Sequence, residues 1–98
     1  MPALSPQEVS THLTALPGWQ VVHGELTRTF KFEDFLAALR FVNRVAELAE
    51  AASHHPDIDI RYNKVTLKLV THDEGGLTPK DFSLAPAVEG LSSPAQVA

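Results

Sequence analysis

The sequence predicts an α+β fold, and three observations point there. Apolar residues recur at i, i+4 and i+7 between residues 33 and 52, which marks one long helix. Two pairs of alternating apolar and polar runs, each pair broken by a short polar turn, mark two antiparallel hairpins. Two Ser/Thr-Pro-x-acid tetrapeptides, Ser5 to Glu8 and Thr78 to Asp81, mark the starts of two further helices. The predicted order is helix, hairpin, long helix, hairpin, helix, within a single domain over residues 1–98.

Each element has a local reason. Ser5 offers an N-cap, Pro6 suits the first helical position and Glu8 completes a capping box, so a first helix should run to about Leu16, where Pro17-Gly18 stops it. Trp19 to Val22 and Glu25 to Phe32 flank His23-Gly24 as a hairpin that puts Leu26, Phe30 and Phe32 on one face. The long helix spans Glu33 to Ala52. Its stripe of Phe35, Leu39, Val42, Ala46 and Ala49 lies beside a second stripe of Phe41, Val45, Leu48 and Ala52, so about half the circumference is apolar. One stripe can cover a sheet while the other meets a partner; alternatively both are buried within one chain.

Ile58, Ile60 and Tyr62, then Val65, Leu67 and Leu69, alternate with polar neighbours as two half-buried strands about an Asn63-Lys64 turn. With that turn as a two-residue loop, Ile60 faces Leu67, Ile58 faces Leu69 and Asp59 faces Lys68, so apolar and opposite-charge pairs agree. A third helix should start at Pro79 and bury Phe82, Ala85 and Val88, with Pro86 interrupting or kinking it. A loose tail follows from about residue 91.

Composition removes several function classes. The 98 residues carry a net charge of -4 with eight Lys and Arg, so there is no basic stripe for nucleic acid. Cysteine is absent, which removes disulfides, thiolate nucleophiles and Cys-based zinc sites and fits a reducing compartment. The N-terminus lacks the features of a signal peptide, and no apolar run is long enough to span a membrane, so the expected location is the cytoplasm. So small a domain gains from a partner chain, and a homo-oligomer is expected.

Three of the five histidines, His54, His55 and His72, sit just beyond the ends of the second hairpin. Continued past the strands, the register above sets His55 opposite His72 and His54 opposite Asp73. An unperturbed imidazole titrates near pH 6.5. Neighbouring rings can therefore hold one proton donor and one acceptor near neutrality, with Asp73 or Asp81 orienting a ring. Against this stand solvated helix-terminal roles for His54 and His55 and a loop role for His72. A metal site built from His54, His55, His72 and Asp73 is a further rival, though adjacent residues of an extended segment point to opposite faces. Glu74-Gly75-Gly76-Leu77 reads as an anion-binding backbone nest or as a plain turn, and Trp19 as a core residue or a stacking surface.

At these residues the chain resembles the pterin-4a-carbinolamine dehydratases, a family also known as the dimerisation cofactor of hepatocyte nuclear factor. The resemblance rests on Glu50, His54-His55-Pro56, Tyr62, His72 and Asp81 at the family's spacings, with the flanking YNKV, THDEGGLT and KDFSLA blocks, and covers about residues 5 to 90. It implies a four-stranded antiparallel sheet with three helices packed on one face, assembled as dimers or tetramers. The implied activity is that of a hydro-lyase, 4a-hydroxytetrahydrobiopterin to quinonoid dihydropterin plus water, in tetrahydropterin recycling, with no metal or prosthetic group. By position, His54, His55 and His72 match the family's catalytic histidines, with His54 and His72 as the acid-base pair. Ser53, Val70, Thr71 and Asp73 join them in lining the pterin pocket. Asp81, Glu50 and Tyr62 match supporting positions; Asp81 also reads as a helix cap, Glu50 as a solvated residue and Tyr62 as a core aromatic. Ile58 stands where many members have a tryptophan, which removes a ring-stacking surface. The alternatives are a non-catalytic interaction protein that docks partner helices on Phe41, Val45 and Leu48, and a pterin role outside aromatic hydroxylation.

Overall fold

Both predicted capping boxes form. In the computed structural model, which describes residues 2–92, the Ser5 hydroxyl accepts from the Glu8 amide at 3.2 Å and the Glu8 carboxylate accepts from the Ser5 amide at 2.8 Å. The Ser5 amide, with the Ser5 hydroxyl after it, holds the Glu8 carboxyl below its ordinary pKa. Helix α1 spans Pro6–Leu13 and ends three residues short of the expected Leu16. Proline disfavours helical backbone at the residue before it, and Leu16 instead turns inward to join Trp19 in the core.

Strands β1 (Gln20–Val22) and β2 (Glu25–Lys31) meet at the expected His23-Gly24 turn, where both residues adopt positive φ. Helix α2 (Phe35–Ala52) starts after Asp34, whose carboxylate accepts from the Ala37 amide at 2.8 Å. Strands β3 (Asp57–Arg61) and β4 (Lys64–Leu69), a 3-10 turn at His72–Glu74 and helix α3 (Pro79–Leu91) complete the order. Helix α3 runs through Pro86 to Leu91, and of the tail expected from about residue 91 the part from Ser93 onward lies outside the described residues.

The four strands form one antiparallel sheet in the order β1-β2-β4-β3. Leu26, Phe30, Val65, Leu67 and Leu69 share its apolar face and pack with Phe41 and Val45 of α2 and with Phe82, Ala85 and Val88 of α3. The opposite face carries Thr27, Thr29, Thr66 and Lys68, with the Thr29 and Thr66 hydroxyls 2.8 Å apart. Glu89 of α3 ties the first hairpin in place, accepting from Trp19 Nε1 and from Arg28 Nε, each at 2.9 Å.

Three expectations need correction. The β3–β4 loop is Tyr62-Asn63, not Asn63-Lys64, so Ile60 faces Val65, Ile58 faces Leu67 and Asp57 faces Lys68. A slip of two residues leaves every side chain on its own face, so alternation cannot detect it. What fixes the register is a contact with the end of β2: the Asn63 carbonyl accepts from the Phe32 amide at 2.8 Å and its side-chain amide donates to the Phe32 carbonyl at 2.9 Å. Secondly, β3 is the outer strand and is exposed along its length, and Tyr62 is a turn residue, 66% exposed at φ 52°, rather than a core aromatic. Thirdly, the α2 stripe offered as a partner surface faces inward: Phe41 and Val45 are buried, while Phe35 is 44% and Leu36 62% exposed.

Val45→Asp is therefore expected to lower stability by at least about 3 kcal/mol in urea denaturation, from burying an unpaired charge. Phe35→Asp should stay within about 1 kcal/mol of the parent. Tyr62→Gly should match or exceed the parent by up to about 1 kcal/mol, because glycine removes the left-handed backbone strain.

Candidate active site

The site begins where α2 ends. Ser53 adopts the left-handed conformation at φ 51°, and the His54 amide donates back to the Ala49 carbonyl at 3.1 Å, which turns the chain sharply off the helix. The two histidines that follow diverge. His54 sends its ring towards α3, where Nε2 meets Asp81 Oδ1 at 2.5 Å with 10% of the side chain exposed. His55 folds back over the last turn of α2 and meets Glu50 Oε1 at 2.6 Å in solvent.

Asp81 occupies the third position of α3 and has no exposed surface. Its Oδ2 accepts from the Thr78 amide and from the Thr71 hydroxyl, each at 2.9 Å. Because Thr71 has one hydroxyl proton and gives it to Asp81, the Thr78 hydroxyl, 2.7 Å away, donates to Thr71 and accepts from the Lys80 amide at 3.2 Å. No buried side-chain nitrogen or oxygen among the described residues lacks a partner. An ionised carboxylate only accepts, so His54 donates Nε2–H, and in the neutral ring Nδ1 is left as a proton acceptor.

The register that set His54 beside Asp73 does not hold. Carried past the strands, the observed pairing points His54 at Thr71, and it is Thr71 and His54 that share Asp81. Asp73 is exposed on the 3-10 turn, and His72, on the same turn, makes no side-chain hydrogen bond among the described residues. The glycine loop closes on itself as a turn: the Glu74 and Gly76 amides donate to the Thr71 carbonyl and the Gly75 amide to the His72 carbonyl, so these donors do not converge on a ligand.

These segments line an open pocket of about 260 Å³. Ser53, His54 and His55 line it from the end of α2, and Val70, Thr71, His72 and Asp73 from the loop after β4. Glu50 stands outside the lining, behind His55. Tyr62 also stands outside it, at the far end of β3, about 17 Å along the strand at some 3.3 Å per residue. Lys80 completes the wall and went unnoticed in the sequence. One signal was available: a cation in the first turn of a helix opposes the helix dipole, and such local misfits gather at functional sites. Among the described residues no group of three or more histidine, aspartate or glutamate side chains is placed to hold a metal ion; His54 and His55 have separate carboxylate partners.

The Pterin 4 alpha carbinolamine dehydratase family matches residues 2–91. The chain belongs to this family. A protein of Acidobacterium capsulatum, provisionally named a pterin-4-alpha-carbinolamine dehydratase, is 55% identical over 93% of this chain and 99% of its own. One of Chloroflexus aurantiacus with the same provisional name is 56% identical over 93% and 98%. The crystal structure of a transcriptional coactivator/pterin dehydratase from Brucella melitensis has a TM-score of 0.89 at 38% identity, covering 93% of this chain and 99% of that one. A pterin dehydratase-like protein identified as a RuBisCO assembly factor in the alpha-carboxysome shares the fold, with a TM-score of 0.63 at 22% identity over 76% and 87% of the two chains.

Within this pterin-4-alpha-carbinolamine dehydratase fold, Asp81→Ala would leave the His54 ring N–H, the Thr71 hydroxyl and the Thr78 amide without their acceptor. The expected loss is at least about 3 kcal/mol in urea denaturation, well above the roughly 1 kcal/mol of an ordinary lost cap. Asp81→Asn, which keeps one acceptor oxygen, should lose less.

Proposed function

We propose that the protein is a 4a-hydroxytetrahydropterin dehydratase, releasing water to give a quinonoid dihydropterin. The observation that carries this reading is the His54 ring, fixed by a fully buried Asp81 at the wall of a cavity that two further histidines line. Loss of water from the carbinolamine removes a proton from N5 and the hydroxyl from C4a, and forms the N5–C4a double bond. His54 Nδ1 takes the N5 proton, with Asp81 stabilising the ring as it charges. His72 delivers a proton to the departing hydroxyl, so the leaving group is water rather than hydroxide. His55, held from outside by Glu50, contacts the polar edge of the pterin. Both imidazoles return to their starting states by exchange with solvent. The physiological setting in this reading is recycling of a tetrahydropterin after aromatic hydroxylation.

Such a catalyst works as a homo-oligomer. Supporting that assembly are the exposed Phe35 and Leu36 on α2, and the outer strand β3 with Ile58 and Ile60 more than one-third exposed and its edge unpaired among the described residues. Leu36→Asp should shift the sedimentation coefficient of the assembly towards that of smaller species.

The deciding measurement is stopped-flow decay of chemically generated 4a-hydroxytetrahydropterin. The protein should accelerate it above the buffer rate. His54→Ala and His72→Ala should each lower the enzymatic rate by about 10²- to 10³-fold, the usual weight of a general acid or base. A parent rate equal to buffer, or two alanine variants as fast as the parent, would sink the proposal and leave an interaction role as the better reading.

A further inference from the structure

A second cavity, about 500 Å³ in volume, lies between the end of α2 and the start of α3. Leu48 and Ala52 form one wall, and Leu84 and Ala87 the other. Beyond Ser83, its polar lining residues are His54 and Lys80, and both of these also line the histidine cavity. His54 and Lys80 thus border both spaces, one polar and one apolar.

We infer that this apolar cavity is the subsite for an aromatic substituent at C6 of the pterin. The inference rests on the dehydratase reading for its orientation. In a 4a-hydroxytetrahydropterin, N5 sits between C4a and C6, so a substrate with N5 at His54 directs its C6 substituent away from the same residue. The apolar pocket is the second space that His54 borders. Hydroxyls of a polyhydroxyalkyl chain would lose water against Leu48, Ala52, Leu84 and Ala87 with few partners in return, whereas an aryl group gains from the same burial. The volume falls within the range of sites that hold small organic ligands. The favoured substrate class is thus a 4a-hydroxytetrahydropterin carrying a 6-arylaminomethyl group, in preference to 6-methyl or 6-dihydroxypropyl analogues.

Binding tests the inference without catalysis. Titration calorimetry would compare stable 7,8-dihydropterins bearing 6-methyl, 6-dihydroxypropyl and 6-arylaminomethyl groups. The aryl ligand should bind the parent protein at least about tenfold more tightly than the methyl ligand, as expected for burying one aromatic ring. Ala87→Trp and Ala51→Trp, each filling the space from an exposed helix position, should bring that ratio close to one. Equal affinities in the parent, or a ratio unchanged in both variants, overturn the subsite. The dehydration assay separates this from the reading beneath it: turnover of the 6-methyl carbinolamine with no aryl preference in binding refutes the subsite alone. An aryl preference without turnover refutes the dehydratase and keeps the subsite.

Discussion

A carboxylate with no exposed surface must find its hydrogen-bond donors inside the protein, and Asp81 finds them on three segments: His54 after α2, Thr71 after β4, and Thr78 at the head of α3. Leaving any of those donors unmatched is unfavourable, so satisfying the carboxylate sets where the three segments stand relative to one another. The helix cap and the histidine orientation are then one arrangement. Core packing of Phe82, Ala85 and Val88 seats the body of α3, and the same two carboxylate oxygens join its first turn to the histidine site.

That arrangement separates the histidines by burial. His54 is nearly buried and its ring is fixed through Nε2, whereas His55, against Glu50, and His72 are exposed to solvent. In the proposed reaction, one fixed ring beside two exposed ones suits a substrate that enters from solvent, because the bound ring can settle against one preorganised group. The left-handed Ser53 makes the division possible, since a helix continued by one turn would have kept the two adjacent histidines on neighbouring faces of the same surface.

What could be read from the sequence was local. The two capping boxes, the His23-Gly24 turn and the inward residues of β2 and β4 follow from short-range spacing. The β3–β4 register did not, because a two-residue slip preserves alternation and the deciding contact joins Asn63 to Phe32, 31 positions away. The inward stripe of α2 was equally hidden: both stripes are apolar, and only the sheet selects Phe41 and Val45 over Phe35. Proximity of the three histidines was legible, since they flank one hairpin. Asp73 and Asp81 both read as acids able to orient a ring; the choice of Asp81 for His54 depends on how α3 docks, which short-range spacing does not carry.

The chain has one tryptophan, and it sits in the core with its indole N–H on Glu89 of α3. The same helix carries Asp81 two turns earlier. Trp19 is therefore a built-in optical probe of whether α3 is seated: undocking of that helix exposes the indole to water and shifts its emission to the red. Because Asp81 moves with the helix, loss of the histidine site and the colour of one fluorophore are coupled through a single rigid element.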